Sequence, residues 1–322
     1  MDTLAIEARG LGKVYRLGLR ARRFVALEGL DLTVTPGSIY GFVGPNGAGK
    51  STTIKILVGL VQASSGDATL FGRGVNDAAA RLQVGYLPEN PSFHDFMRPL
   101  EVLRYLGRLS GLSGRDLDRR AEALLEQVGL ADARDLTVRK FSKGMVQRLG
   151  LAQALIHDPP LLVLDEPMRG LDPIGRKEVR DLVLEQRRRG KTVFFSTHIL
   201  SDVESICDRV GMLLHGKLVR EGALASLLDG SVRVVEVRCT GLSPAAADEV
   251  RAAAAEGGPS AEGHAFLFPS LEAADAAVKL VLARGGRLVS LQPHRESLEE
   301  TFVRLATAAG ATGEGRQRGA VG

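Results

Sequence analysis

One stretch constrains this chain more than any other: Gly44-Pro45-Asn46-Gly47-Ala48-Gly49-Lys50-Ser51-Thr52. The apolar run 39–43 precedes it, and a helical pattern with Ile54, Leu57, Val58 and Val61 on one side follows it. Strand, glycine-rich loop and helix, with a glycine, four residues and then Gly-Lys-Ser, make a phosphate-binding loop. The spacing has a physical cause. Gly44, Gly47 and Gly49 let the backbone curl so that successive N–H groups converge on an anion. The helix start adds unpaired donors and a partial positive charge. Lys50 is expected to reach the β- and γ-phosphates, and the Ser51 hydroxyl to ligand Mg²⁺.

Two further segments supply chemistry to such a loop. Leu161-Leu162-Val163-Leu164 is continuously apolar, as in a strand buried on both faces of a parallel sheet, and Asp165-Glu166-Pro167 follows it. A carboxylate at the end of that strand suits the Mg²⁺ shell, which is the role expected of Asp165. Its neighbour Glu166 is placed to polarise an attacking water. His198 ends another apolar strand in Ser196-Thr197-His198. In a parallel sheet it reaches the same carboxyl edge and the γ-phosphate.

Around these motifs the pattern is α/β. Residues 4–34 read as strands, with 16–23 an exposed hairpin or loop. Helical patterns at 100–109, 116–128 and 142–156 form an insertion spanning about 90–158, closed by Asp158-Pro159-Pro160. Strands and helices then alternate to residue 221, which predicts a doubly wound sheet. The expected division is a cassette at 1–222, a linker at 223–231 and a small α+β domain at 232–308. That last domain reads β-α-β-α-β-α, with one helix over 244–256. Residues 309–322 have no apolar period and are expected to be a disordered tail.

Composition narrows the function. A chain of 322 residues has room for two cores. The net charge of +4 comes with arginine clusters, but the few aromatics are not interleaved with them, so no nucleic acid is expected as a partner. No apolar run approaches the roughly 20 residues of a membrane span, and the start lacks the features of a signal peptide. Cys207 and Cys239 are far apart and form no Cys-x-x-Cys pair, so reduced thiols are expected rather than a zinc site. The expectation is a cytoplasmic protein that reaches a membrane through a partner.

Taken together, the loop at 44–52, Phe141-Ser142-Lys143-Gly144-Met145, Gln147-Arg148-Leu149, Asp165-Glu166, Gly170-Leu171-Asp172 and His198 resemble the ATPase subunit of an ATP-binding-cassette transporter. The resemblance covers about residues 4–222. It implies a P-loop NTPase fold: a RecA-like core with an antiparallel β subdomain and a helical insertion, here followed by the α+β domain. It implies ATP and Mg²⁺ as cofactors, Tyr15 stacked on adenine, and Glu89 as a residue of the Mg²⁺ site, with Ser51 and Asp165, that links it to the membrane part. Ser142, Lys143, Gly144 and Met145 would touch the γ-phosphate held by a second copy, in a head-to-tail homodimer. Asp172 would lie in the loop crossing that interface, and His198 would be the switch histidine. The family's common signature, Leu-Ser-Gly-Gly-Gln, reads Phe-Ser-Lys-Gly-Met here, and Glu89 stands where glutamine is usual.

The altered signature, the Leu87-Pro88-Glu89 loop, the extra domain and Ser297-Leu298-Glu299-Glu300-Thr301-Phe302 resemble one branch in particular. Its members power a separately encoded permease, commonly in export, from the inner face of the cell membrane. The accessory domain is then either regulatory or structural. A different reading is a cassette that tethers or regulates a membrane complex with little turnover. Cassette proteins of translation usually carry two phosphate loops and those of DNA repair carry long heptad repeats; this sequence has one loop and no sustained heptads. A P-loop kinase has no use for Ser142–Met145 together with His198.

Overall fold

The computed structural model describes residues 3–17, 22–228, 234–260, 262–294 and 297–311. It divides into two compact units, 1–224 and 225–322.

The first unit holds two sheets. Strands β1 (Ile6–Leu17), β2 (Arg22–Val34), β4 (Ser65–Leu70) and β5 (Arg73–Gly74) form an antiparallel sheet in the order β2-β1-β4-β5. The β1–β2 ladder runs on to Arg16–Arg23 and Leu17–Arg22, so the strands reach further into the expected 16–23 loop than the charge pattern suggests. Residues 18–21 of that loop lie outside the described residues.

The second sheet contains β3 (Ile39–Val43), β6 (Val84–Leu87), β7 (Leu161–Asp165), β8 (Thr192–Thr197), β9 (Arg209–Leu214) and β10 (Lys217–Ala223), in the order β10-β9-β3-β8-β7-β6. Its members are parallel except β10, which pairs antiparallel with β9. Every residue of β3, β7 and β8 is buried, which accounts for the apolar runs at their centres. Helix α1 (Lys50–Leu57) touches β2 and β4 of one sheet and β7 of the other. Ile54, Ile56 and Leu57 join Ile6, Leu30, Phe42 and Phe194 in one core.

Short α2 (Ala78–Arg81) precedes β6; α3 (Pro99–Leu109), α4 (Gly114–Gln127) and α5 (Lys143–Leu155) form the helical insertion. Helix α6 (Pro173–Arg188) starts earlier than its apolar pattern, because Asp172 caps it and Pro173 suits a first helical position. Helix α7 (Leu200–Ile206) follows β8. Of the expected linker, Ala223 closes β10, α8 (Leu224–Leu228) occupies most of the rest, and residues 229–231 lie outside the described residues.

The second unit corrects the sequence reading. Its order is β11 (Val234–Thr240), α9 (Pro244–Ala252), β12 (Glu256–Ser260), β13 (Gly263–Phe268), α10 (Leu271–Ala283), β14 (Arg287–His294) and α11 (Leu298–Ala311). The sheet order is β12-β13-β11-β14, all antiparallel, so the unit is a split βαβ of the ferredoxin-like kind followed by a helix. The helix expected over 244–256 stops at Ala252 and a strand follows. Among the described residues that strand is an edge, paired with β13, and an edge tolerates Gly257, Gly258 and Pro259, whose composition reads as a turn. Val235, Val237, Phe266 and Phe268 pack on Val250 and Val281 as a separate core. Helix α11 runs past the expected tail start at 309, and residues 312–322 lie outside the described residues.

Candidate nucleotide site

The strand order brings the chemistry together. Because β3, β8, β7 and β6 are parallel neighbours, their carboxyl ends share one edge. Ligands of open α/β sheets bind at such an edge. The register aligns Val43 with Thr197, Asp165 with Ser196 and Leu87 with Leu164. The loop 44–52, His198, Asp165-Glu166 and Glu89 therefore follow four adjacent strands.

The loop's glycines are required by geometry at two positions. At Gly49, φ is +111° and a Cβ would come within 2.6 Å of the Ala26 carbonyl oxygen. At Gly44 a Cβ would lie 2.4 Å from the Leu213 carbonyl oxygen on β9. The loop is thus pressed between the two sheets. Gly49 is also the left-handed N-cap residue of α1, which has no side-chain cap. Its first-turn N–H groups are left for an anion.

Lys50, only 6 % exposed, donates to the carbonyl oxygens of Gly44 at 2.7 Å and Pro45 at 3.3 Å, and its Nζ lies 3.4 Å from Glu166 Oε1. The other Glu166 oxygen, Oε2, is 2.9 Å from His198 Nδ1. Glu166 has φ +52°, a left-handed conformation that a side-chain-bearing residue adopts only when its surroundings enforce it. Part of that enforcement comes from Ser196. Its hydroxyl accepts the Glu166 N–H at 3.0 Å and donates to Asp165 Oδ1 at 2.6 Å. Ser51 Oγ donates to the same Asp165 oxygen at 3.3 Å. Burial, with the Asp165 charge adding to it, pushes the nearby Tyr86 phenol up to about 12 and keeps it neutral.

A cleft of about 340 Å³ opens over this edge. Pro45, Asn46, Gly47, Gly49, Lys50, Ser51 and Thr52 line it, with Glu89, Glu166 and Arg169 opposite. Ala48 is buried beneath the loop, where its carbonyl accepts the Gly216 N–H at 2.8 Å. The aromatic lining the cleft is Phe24, not Tyr15. The two are cross-strand partners, so they share a face, and Lys13 Nζ sits 5.0 Å from the Tyr15 ring centroid. The long β1–β2 hairpin thus brings its second strand to the cleft, and no motif in the sequence announces Phe24. Glu89 lines the cleft, with its carboxylate ion-paired to Arg169. Neither Arg169 nor Ser196 stands out in the sequence as a site residue.

Residues 142–145 do not line this cleft. Ser142 caps α5, its Oγ accepting the Met145 N–H at 3.3 Å, and Lys143 Nζ lies against Gly170. Buried Gln147 donates to the Pro167 carbonyl at 3.0 Å and ties α5 to the turn after Glu166. Asp172 caps α6 by accepting the Gly175 N–H at 2.7 Å.

A family model described as ABC transporter matches residues 27–169. An uncharacterized ABC transporter ATP-binding protein of Synechocystis sp. is 40 % identical over 95 % of this chain and 86 % of its own length. The daunorubicin/doxorubicin resistance ATP-binding protein of Streptomyces peucetius is 39 % identical over 70 % of this chain and 67 % of its own. A solved ATP-binding subunit of an ABC transporter superposes with a TM-score of 0.63 at 33 % identity, covering 70 % of this chain and 92 % of that one. The chain belongs to the ABC transporter family, as an ATP-binding subunit whose reaction is ATP hydrolysis coupled to transport.

Proposed function

We propose that two copies of this chain meet head to tail about a two-fold axis and power a separately encoded membrane permease from its cytoplasmic face, as an exporter. Each ATP lies between residues 44–52 of one copy and Ser142, Lys143, Gly144 and Met145 of the other. Two features support this. The cleft's own wall lacks 142–145, and those residues begin a capped helix whose N-terminus suits an anion. Closure on ATP and release on hydrolysis then follow from contacts that only the triphosphate completes. Asp172 belongs to the loop facing the partner copy. In this reading the membrane partner carries the cargo; among the described residues no helix is long and apolar enough to cross a membrane. The Streptomyces peucetius relative, named for drug resistance, supports export.

The donor set fits Mg²⁺. Ser51 on α1 and Asp165 at the end of β7 offer oxygen ligands, and among the described residues no cluster of three or more His, Cys, Asp or Glu would hold a metal alone. Magnesium takes one or two protein oxygens and completes its shell with phosphates and water. When bound it neutralises charge between the β- and γ-phosphates. Lys50 holds those phosphates, Glu166 polarises the attacking water, and His198 orients Glu166 and senses the γ-phosphate.

The observation that carries the reading is buried Glu166, held between Lys50 and His198 in a strained backbone conformation. A tether with little turnover has no need of a carboxylate held in this way. Glu166→Gln should lower ATP turnover at least about 100-fold while ATP still drives dimerisation, read by phosphate release and size-exclusion chromatography. Turnover at the parental rate would remove the central assignment.

A further inference from the structure

One contact in the cleft has no part in the steps above. Arg169 lies three positions beyond Glu166, and its backbone N–H donates to the Glu166 carbonyl at 3.1 Å. The turn that carries Glu166 therefore also carries Arg169. The Arg169 guanidinium reaches from the loop after β7 to Glu89 in the loop after β6 and forms an ion pair there. Both side chains line the cleft with Lys50 and Ser51. They sit at its rim, 45 % and 31 % exposed, whereas the Lys50–Glu166 pair forms its dry floor at 6 % and 7 %.

The charges of the lining show why the rim pair matters. A triphosphate brings several negative charges into a cleft lined by two carboxylates, Glu89 and Glu166, with Asp165 buried behind them. Asp165 is met by the hydroxyls of Ser51 and Ser196, and Glu166 by Lys50 and His198. Glu89 is met by Arg169. A bare carboxylate at that rim would repel the entering phosphates through partly desolvated protein.

We propose that Arg169 is a positioning residue for nucleotide: it holds Glu89 neutralised at the cleft mouth, so that the two act as one charge-coupled unit. This rests on the reading of the cleft as the ATP site. A chain with the carboxylate alone repels the phosphates, a chain with the guanidinium alone attracts them more strongly, and a chain with neither returns to the parental balance.

ATP affinity of the full chain, measured by isothermal titration in EDTA and again with Mg²⁺, tests this. Arg169→Ala should weaken metal-free ATP binding on the order of ten-fold, and less with Mg²⁺, whose charge offsets the exposed Glu89. Arg169→Lys should stay near the parent. Glu89→Gln, which leaves the guanidinium unopposed, should bind metal-free ATP several-fold tighter. It reads the coupling even where Arg169→Ala folds poorly. The double variant Glu89→Gln with Arg169→Ala should return to within about three-fold of the parent. The proposal is overturned if the double variant is as weak as Arg169→Ala, if Arg169→Lys is equally weak, or if Glu89→Gln does not bind tighter. Absence of ATP binding by the parental chain would instead strike the reading of the cleft itself.

Discussion

At the scale of single residues, the site depends on backbone positions that leave no room for a side chain. Gly44 illustrates this, since even a methyl group would collide with the Leu213 carbonyl. Gly44→Ala should destabilise the first unit by about 1–3 kcal/mol and weaken ATP binding, checked by denaturant melts and titration. A second residue-level effect concerns pH. Burial lowers the His157 imidazole below its ordinary 6.5, with Arg120 and Lys191 adding to the effect, and a backbone contact with Val84 opposes it. Above pH 6.5 folded and unfolded imidazoles are both neutral, and the stability is fully present. As pH falls below that value, the unfolded chain takes the proton first and the contribution is lost through the lower folded value. His157→Gln should therefore flatten the fall in melting temperature between about pH 7.5 and 5.5, read by scanning calorimetry.

At the scale of elements, local chemistry sets boundaries well where a cap is present. Ser142 and Asp172 each start a helix at their own position, and both lie in motifs visible without a structure. Strand β12 is the opposite case. Its Gly-Gly-Pro composition disfavours a strand, and it exists because β13 offers it a ladder at the sheet edge. Helix α5 shows how an element is tied to the site: Gln147 is buried and its amide meets the Pro167 carbonyl just beyond Glu166. Gln147→Leu should cost about 1–3 kcal/mol, because that carbonyl loses its donor. It should also slow ATP turnover more than it weakens ATP binding, measured by paired melting, titration and hydrolysis assays.

At the scale of the whole molecule, the two units have separate cores. Phe266 is fully buried in the second. Phe266→Ala should cost that unit about 3–5 kcal/mol and produce an early melting transition, while ATP affinity stays at the parental value. A shift in ATP affinity would show that the second unit bears on the nucleotide site.

The loop at 44–52, the Asp165-Glu166 pair, His198 and the helix over 142–156 were legible in the sequence, because each depends on neighbours a few positions away. Spacing decides whether glycines can curl a loop, whether a strand ends in a carboxylate and whether a helix is capped. The tertiary structure decided what those pieces do together. Ser51 and Asp165 are 114 positions apart and meet only because β8 lies between β3 and β7. That strand order brings Ser196 beneath both acids. The pairing of β2 along β1 brings Phe24 to the cleft wall, and the adjacency of β6 and β7 joins Glu89 to Arg169. Local periodicity carries no record of which strands become neighbours; burying both faces of the central sheet selects that order, and the electrostatics of the site follow from it.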